Sequence, residues 1–212
     1  EIRPILAIAT YKLFNNDYQK IMPYAIALEM VNNFSLIHDD LTGIDNDDFR
    51  HGKPTNHKMF NEATAILAGD GLLNNAYIII SEDIKEALKE YTKQVNDLEK
   101  SEQEELIKEL NNKTKVFNEF SLAIDRMIAG EYIDTEFEGK QITNKILEYM
   151  HKNKTGAFLK YAVRLGAILA NATEVELERL TKYAENIGLA FQIKDDILSE
   201  EGDSKILGKP VG

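Results

Sequence analysis

The chain has 212 residues, no cysteine, 43% hydrophobic and 29% charged residues and a formal net charge of −11. That length supports one sizeable core, while the acidic balance argues against nucleic acid, which needs basic stripes. Without cysteine, disulfides, thiolate nucleophiles and cysteine zinc sites are excluded, and a reducing, cytoplasmic setting is expected.

Four prolines and twelve glycines are the only strong breakers, and apolar residues recur at helical spacing almost throughout. No run of eighteen apolar residues occurs, so no membrane span is expected. The start, Glu1-Ile2-Arg3-Pro4, has no initiator Met, and native segments are expected on both sides of residues 1–212. Residues 21–37 read as a helix that is apolar on most faces and therefore central. Residues 63–80 read the same way. Segment 84–98 places Ile84, Leu88, Tyr91, Val95 and Leu98 on one face of an amphipathic helix. Ser101-Glu102-Gln103-Glu104 has the form of a capping box opening a further polar helix. Residues 117–133 and 155–170 continue the pattern, and 175–198 reads as a long apolar helix. The expectation is a single all-α domain, a bundle of more than four helices.

Two acidic clusters stand out. His38-Asp39-Asp40-Leu41-Thr42-Gly43-Ile44-Asp45-Asn46-Asp47-Asp48 follows an apolar helix, and Asp195-Asp196 ends the apolar run 187–193. Neighbouring carboxylates repel, and hard divalent cations resolve that conflict. Either cluster alone equally suits a solvated helix end. A calcium loop starting at Asp45 fails, because Arg50 and Asn56 stand where it needs Gly and Glu. The company of the clusters favours diphosphate. Arg50, His51, Gly52, Lys53 and Pro54 follow the first, and Lys205 and Lys209 follow the second. Metals take carboxylate and phosphate oxygens, and Arg and Lys take the remaining phosphate oxygens.

These residues resemble the polyprenyl synthetase family, the trans-isoprenyl diphosphate synthases, and within it the bacterial farnesyl diphosphate synthases. Asp39-Asp40-Leu41-Thr42-Gly43-Ile44-Asp45, continued to Arg50-His51-Gly52-Lys53-Pro54-Thr55, looks like the first aspartate-rich motif with its two-residue bacterial insertion. Phe191-Gln192-Ile193-Lys194-Asp195-Asp196, continued to Gly208-Lys209-Pro210, looks like the second. Lys154-Thr155-Gly156 and Arg3-Pro4 match two further signatures. Segment 82–118 carries no specific motif.

The resemblance implies an isoprenoid-synthase bundle with a central active-site cavity, usually as a homodimer. It implies a prenyltransferase that condenses isopentenyl diphosphate with dimethylallyl or geranyl diphosphate to farnesyl diphosphate (C15). It implies magnesium, three ions in number, held by Asp39, Asp45 and Asp195 with Asp40 and Asp196 in support. Arg50, Lys154 and Lys209 would stabilise the departing diphosphate, and Thr155 and Gln192 would face the allylic cation. Arg3, Asn32 and His51 fall on the isopentenyl diphosphate site. Without the motifs, Lys53, Lys205 and Lys209 equally suit surface charges, Gln192 a satisfied core amide and Thr155 an N-cap. His38, His57 and His151 read as structural.

Four positions depart from the family pattern. Ser199 replaces a third aspartate, His51 a second arginine, Asn32 a histidine, and Glu131 a glutamine beside Asp134. They motivate an alternative, a catalytically impaired partner subunit. A class I terpene cyclase shares the metal chemistry but lacks the Arg3-Pro4 and Lys154-Thr155-Gly156 signatures. Product length is expected to depend on Ser35 and Phe34. If the head of the allylic substrate is fixed at Asp39, its tail runs back along the helix, and Phe34 lies about 7.5 Å below. By geometry alone Phe34 equally suits ordinary core. With the resemblance it becomes the floor of a C15 pocket, or of a C10 pocket if the space is tighter.

Overall fold

The computed structural model describes residues 2–137 and 139–201, apart from the side chains of residues 151, 155, 195, 196 and 198–201. Helix α1 (Ile2–Lys12) gives way to a turn in which Asp17 N–H donates to Asn15 Oδ1 at 2.9 Å. A 3-10 turn, Tyr18–Ile21, leads into α2 (Met22–Asp39), with Pro23 in its first turn, where no intrahelical N–H bond is lost. After a loop come two short antiparallel strands, β1 (Phe49–Arg50) and β2 (Lys53–Pro54), paired Phe49 with Pro54 and Arg50 with Lys53. Their turn residues His51 and Gly52 have φ of 52° and 73°, the positive pair that a type I′ hairpin requires. A single helical turn, α3 (Asn56–Met59), precedes α4 (Glu62–Gln94), which Asn61 caps by accepting Thr64 N–H at 2.8 Å.

The helices predicted at 63–80 and 84–98 are one element, α4. Likewise the polar helix opened near 101 and the segment 117–133 are one helix, α5 (Lys100–Phe137). The reason is composition: no glycine or proline occurs between Gly71 and Gly130 to stop either helix. The cap of α5 lies two residues earlier than the capping-box pattern places it. Glu99 N–H donates to Glu102 Oε2 at 2.9 Å, and Gln103 Nε2 donates to the carbonyls of Val95 and Leu98 at 2.8 and 3.0 Å. The turn between α4 and α5 is thus satisfied from within α5.

The second half holds α6 (Asn144–His151), a π-turn (Lys152–Gly156), α7 (Ala157–Leu169) and α8 (Glu174–Glu201). Thr173 and Glu176 form a reciprocal capping box at the start of α8. The bundle pairs α2 with α4 and α1 with α7, while α7 also packs on α5 and α8.

The central helix is therefore α7, in which Phe158, Leu159, Tyr161, Ala162, Val163 and Leu165 are all buried. Helix α2 was expected in that role. It is amphipathic, with Tyr24, Leu28, Val31 and Phe34 buried and Ile26 exposed. Helix α8 is less apolar than predicted, because only Leu177, Ala184 and Gly188 of its described residues are buried, while Tyr183, Leu189 and Ile193 are exposed. Phe120 ties the core together, with ring centres at 5.1 Å to Tyr77 and 5.7 Å to Tyr161. Burying the Phe120 ring completely stabilises the fold by about 1.5–3 kcal/mol.

Among the described residues, α4 is long and apolar enough to cross a membrane by length and composition. In the bundle it packs on α2 and α5, burying Ala65, Gly69, Ala76 and Ile80.

Arg164 joins three helices. From α7 its Nε and Nη2 donate to Glu119 of α5 at 2.7 and 2.6 Å, and its Nη1 donates to Thr181 of α8 at 2.7 Å. Both partners of the ion pair keep only about a fifth of their side-chain surface exposed, at 21% and 22%. Arg164→Met leaves Glu119 without its cation and is expected to cost about 2–3 kcal/mol in urea denaturation. Adding Glu119→Gln should recover part of that loss. Strictly additive single and double effects would show that the pair is uncoupled.

Candidate active site

Helix α2 ends at Asp39, and the chain folds back at once. Leu41 N–H donates to the His38 carbonyl at 3.1 Å, and Asn46, at φ 52°, donates to Leu41 O at 3.0 Å. This turn brings Asp45 N–H to the carbonyl of Asp39 at 2.9 Å. The six-residue spacing between the two aspartates is therefore closed by a main-chain hydrogen bond.

The adjacent pair Asp39-Asp40 divides its work. Asp40 is 3% exposed and accepts from Arg50 Nε at 2.7 Å, with Arg50 Nη2 at 2.6 Å. The β1–β2 hairpin carries Arg50 back to meet it. Asp47 stands 3.9 Å from the same guanidinium. Asp39 is half-buried and is flanked electrostatically by Glu131, Lys154 and Asp45.

Lys154 enters from the π-turn. Its Nζ lies 3.0 Å from Glu131 Oε2 and donates to Asp134 Oδ2 as well. Glu131 and Asp134 share one face of α5 at i, i+3 spacing. Two glycines let the helices close on the π-turn. A Cβ on Gly130 of α5 would come within 2.3 Å of Lys154 N, and one on Gly188 of α8 would come within 3.1 Å of Gly156 Cα. Insertions of this kind into helices are frequent at functional sites.

The electrostatics show unbalanced negative charge. Burial first, and then the charge of Glu131, push the Asp39 carboxyl up to about 7, against the opposing pull of Lys154. Asp45 is raised by desolvation, which Lys154 opposes and Asp47 and Asp134 reinforce. Burial likewise raises Glu131 despite its bond to Lys154. Burial would lower Lys154, but Glu131 and Asp134 outweigh it and hold the ammonium well above its usual range. For Arg50, desolvation is likewise outweighed by Asp40.

Oxygen donors with surplus negative charge fit a hard divalent cation. Among the described residues, no three His, Asp or Glu side chains are already gathered as a ligand set. Magnesium takes one or two carboxylates and fills its remaining positions with water and phosphate oxygens, so the pair Asp39 and Asp45 fits it in donor type.

The other predicted residues fall as follows. Arg3 Nη1 donates to Asn32 Oδ1, and the guanidinium lies 5.7 Å from the Phe158 ring centre. The fold thus joins two residues expected at the isopentenyl diphosphate site. Asn32, Ser35 and Asp39 follow one face of α2 at i, i+3 and i+7. Ser35 Oγ donates to the Asn32 carbonyl at 3.0 Å. Phe34 is buried, edge-on to His38 at 4.8 Å, within the core. His51 is exposed at the hairpin turn, and Gln192 is half-buried on α8. Lys205 and Lys209 lie outside the described residues, as do the side chains of Thr155, Asp195, Asp196 and Ser199.

Two cavities, of about 620 and 300 Å³, lie elsewhere. The first is lined by Tyr24, Asp83 and Lys113, the second by Arg126, Lys160 and Arg164. Neither cavity is lined by Asp39, Asp45, Glu131 or Lys154, and the side chain of Asp195 lies outside the described residues. Glu131 and Asp134 are absent from the predicted set of site residues. Their signal was the i, i+3 carboxylate pair just after Gly130.

The whole chain, residues 1–212, matches the sequence model of the family described as polyprenyl synthetase. The chain belongs to the polyprenyl synthetase family. It is 43% identical to a farnesyl diphosphate synthase of Geobacillus stearothermophilus, and the match covers all of this chain and 65% of that protein. Among solved structures it resembles an FPP/GFPP synthase from Zymomonas mobilis. There the TM-score is 0.79 and the identity 33%, over 99% of this chain and 68% of that one. It also resembles a geranyltransferase from Helicobacter pylori complexed with magnesium and isoprenyl diphosphate. There the TM-score is 0.78 and the identity 25%, over 99% of this chain and 64% of that one. The all-α fold of the isoprenoid synthases is thereby established. The chain spans about 65% of the length of the first curated relatives it matches.

A carboxyl at about 7 in the folded chain, against an ordinary 3.8, holds a proton that the unfolded chain has released. The folded state therefore binds more protons between roughly pH 4 and 7, and stability falls as pH rises through that window. For a half-buried group the loss is about 1–2 kcal/mol after solvent screening. In metal-free protein, Asp39→Asn is expected to melt higher than the parent at pH 8 and to flatten this fall. Parallel melting curves from pH 4 to 8 would contradict the assignment.

Proposed function

We propose that this chain forms part of a magnesium-dependent trans-prenyl diphosphate synthase that condenses isopentenyl diphosphate with dimethylallyl or geranyl diphosphate to farnesyl diphosphate. The observation that carries the reading is the acidic wall of Asp39, Asp45, Glu131 and Asp134, which among the described residues gathers around Lys154. A diphosphate meets such a wall only with cations between them. Asp39 and Asp45 would hold magnesium here, with Asp195 from α8, and the bound metal would supply charge neutralisation and Lewis-acid assistance to the leaving diphosphate.

The chain's own groups account for the rest. Lys154, Arg50 and Lys209 donate to diphosphate oxygens, and positive charge fixed in place lowers the cost of the departing anion. The allylic C1–O bond breaks, and its electron pair leaves with the diphosphate. By the family resemblance, Thr155 and Gln192 would offer oxygen dipoles to the resulting allylic cation. The alkene of isopentenyl diphosphate forms the new C–C bond, and the proton lost from that unit passes to the departed diphosphate. Arg3, held against Asn32, and His51 at the hairpin turn bind the isopentenyl diphosphate. A homodimer is supported by exposed apolar side chains on α4, Leu67 and Ile78, and on α5, Leu122, Ile128 and Tyr132.

The test is incubation of the purified full-length protein with magnesium, labelled isopentenyl diphosphate and geranyl diphosphate. Label should appear in a C15 diphosphate, and Asp39→Ala should lower the rate by at least about a hundredfold. No turnover by the parent would favour a non-catalytic partner subunit. A hydrocarbon formed from the allylic substrate alone would favour a cyclase.

Product length rests on Phe34. Ser35 shares the face of Asp39, while Phe34 lies one residue further down the helix and is buried. Truncating it opens space but costs core packing, roughly 3–5 kcal/mol for alanine. Phe34→Leu keeps more of that packing. Both Phe34→Ala and Phe34→Leu are expected to shift products toward C20 or longer, as read by chromatography. An active variant with unchanged product length would place the floor elsewhere.

A further inference from the structure

Lys154 is doubly committed. Its ammonium bonds Glu131 Oε1 at 3.1 Å, lies 3.0 Å from Oε2, and contacts Asp134 too. Side-chain exposure is 28% for Lys154 and 19% for Glu131, so water shields this contact only partly. Lys154 N sits where a Cβ on Gly130 would come within 2.3 Å, so the π-turn is seated directly on α5. Redirection of the ammonium is therefore taken up by the flexible four-carbon side chain. Arg50 stays with Asp40 through Nε and Nη2, so a diphosphate contact from Nη1 would not release Lys154 from its own carboxylates.

Both cations of the wall are therefore engaged with carboxylates before any diphosphate arrives. Resting on the function proposed above, we propose that Glu131 is a positioning residue that holds Lys154 beside Asp134, so that Lys154 passes to an incoming diphosphate only once a divalent cation occupies the neighbouring aspartates. A glutamine of the same shape would keep an acceptor for Lys154 but lose the charge. The charge acts in two opposed ways. It strengthens cation binding at Asp39 and Asp45, and it restrains Lys154 from a metal-free anion. Breaking a charge-assisted hydrogen bond of this kind costs about ten- to a hundredfold in affinity. The direction in which Asp39 is shifted agrees, since after burial the largest influence raising it is Glu131.

The test uses inorganic pyrophosphate as the probe and the full chain at low ionic strength, followed by isothermal titration calorimetry. With EDTA present, Glu131→Gln should bind pyrophosphate roughly tenfold tighter than the parent. With pyrophosphate fixed and magnesium varied, the variant should need about threefold or more magnesium for half-saturation. In a Lys154→Met background, the gain under EDTA should shrink to about threefold or less, because the restraint acts through Lys154. Circular dichroism melts check that each variant is folded. Equal pyrophosphate affinity in parent and Glu131→Gln, or a gain that persists undiminished without Lys154, overturns the proposal. A parent that binds no pyrophosphate at any magnesium concentration overturns the functional reading itself, whereas a parent that binds with magnesium and a variant that behaves identically overturn only the role of Glu131.

Discussion

The carboxylates at the C-terminal end of α2 repel one another, and the surrounding elements contain that repulsion without removing it. The β1–β2 hairpin exists at this point to return Arg50 to Asp40, which neutralises one aspartate of the pair at 2.6 Å. The turn after Asp39 fixes Asp45 through a main-chain bond and leaves its carboxylate available. The π-turn delivers Lys154 to Glu131 and Asp134, and Gly130 is the residue that permits the approach. One positive charge is thus shared by an acidic wall too large for it. The result is a raised Asp39 and a site whose electrostatics are completed by something brought from outside.

Legibility in the sequence divides along physical lines. The all-α class was readable because the period of 3.6 is expressed over long segments. The joins within α4 and α5 were harder. Polar stretches such as Ser81-Glu82-Asp83 read as breaks, yet Asp83 is satisfied by the Tyr24 hydroxyl at 2.6 Å and by Lys113 at 2.8 Å. Those partners come from other helices and leave no local trace. Asp39 and Asp45 were readable because acidic residues clustered after an apolar helix conflict with it. Their different environments were not, since the partner of Asp40 arrives on strands of two residues, too short to show alternation. Glu131 was marked only as a departure from the family pattern beside Asp134, and its bond to Lys154, 23 residues on, is tertiary and leaves no local trace. The Arg3–Asn32 contact, 29 residues apart, is wholly tertiary.

The two ends of α2 make the cost of the site visible. Near its N-terminal end, Tyr24 donates to Asp83, Lys113 pairs with Asp83, and Lys113 also reaches Glu109 at 3.3 Å, so the half-buried charge of Asp83 is met by a donor and a cation. At the other end Asp39 and Asp40 sit where the helix dipole is itself negative, the terminus that favours cations over carboxylates. A chain under selection for stability alone would place aspartates at the first turn and lysine at the last. Here the last turn carries the aspartates instead, and among the described residues Arg50 and Lys154 beside them are held by neighbouring carboxylates. The dipole and the carboxylates add to one negative field, pointing at the space between α2 and the π-turn. A field of that sign destabilises the empty protein and attracts a divalent cation more steeply than a monovalent one, because the attraction scales with ligand charge. The placement of Asp39 and Asp40 at this terminus is therefore a cost in stability that a bound cation would offset.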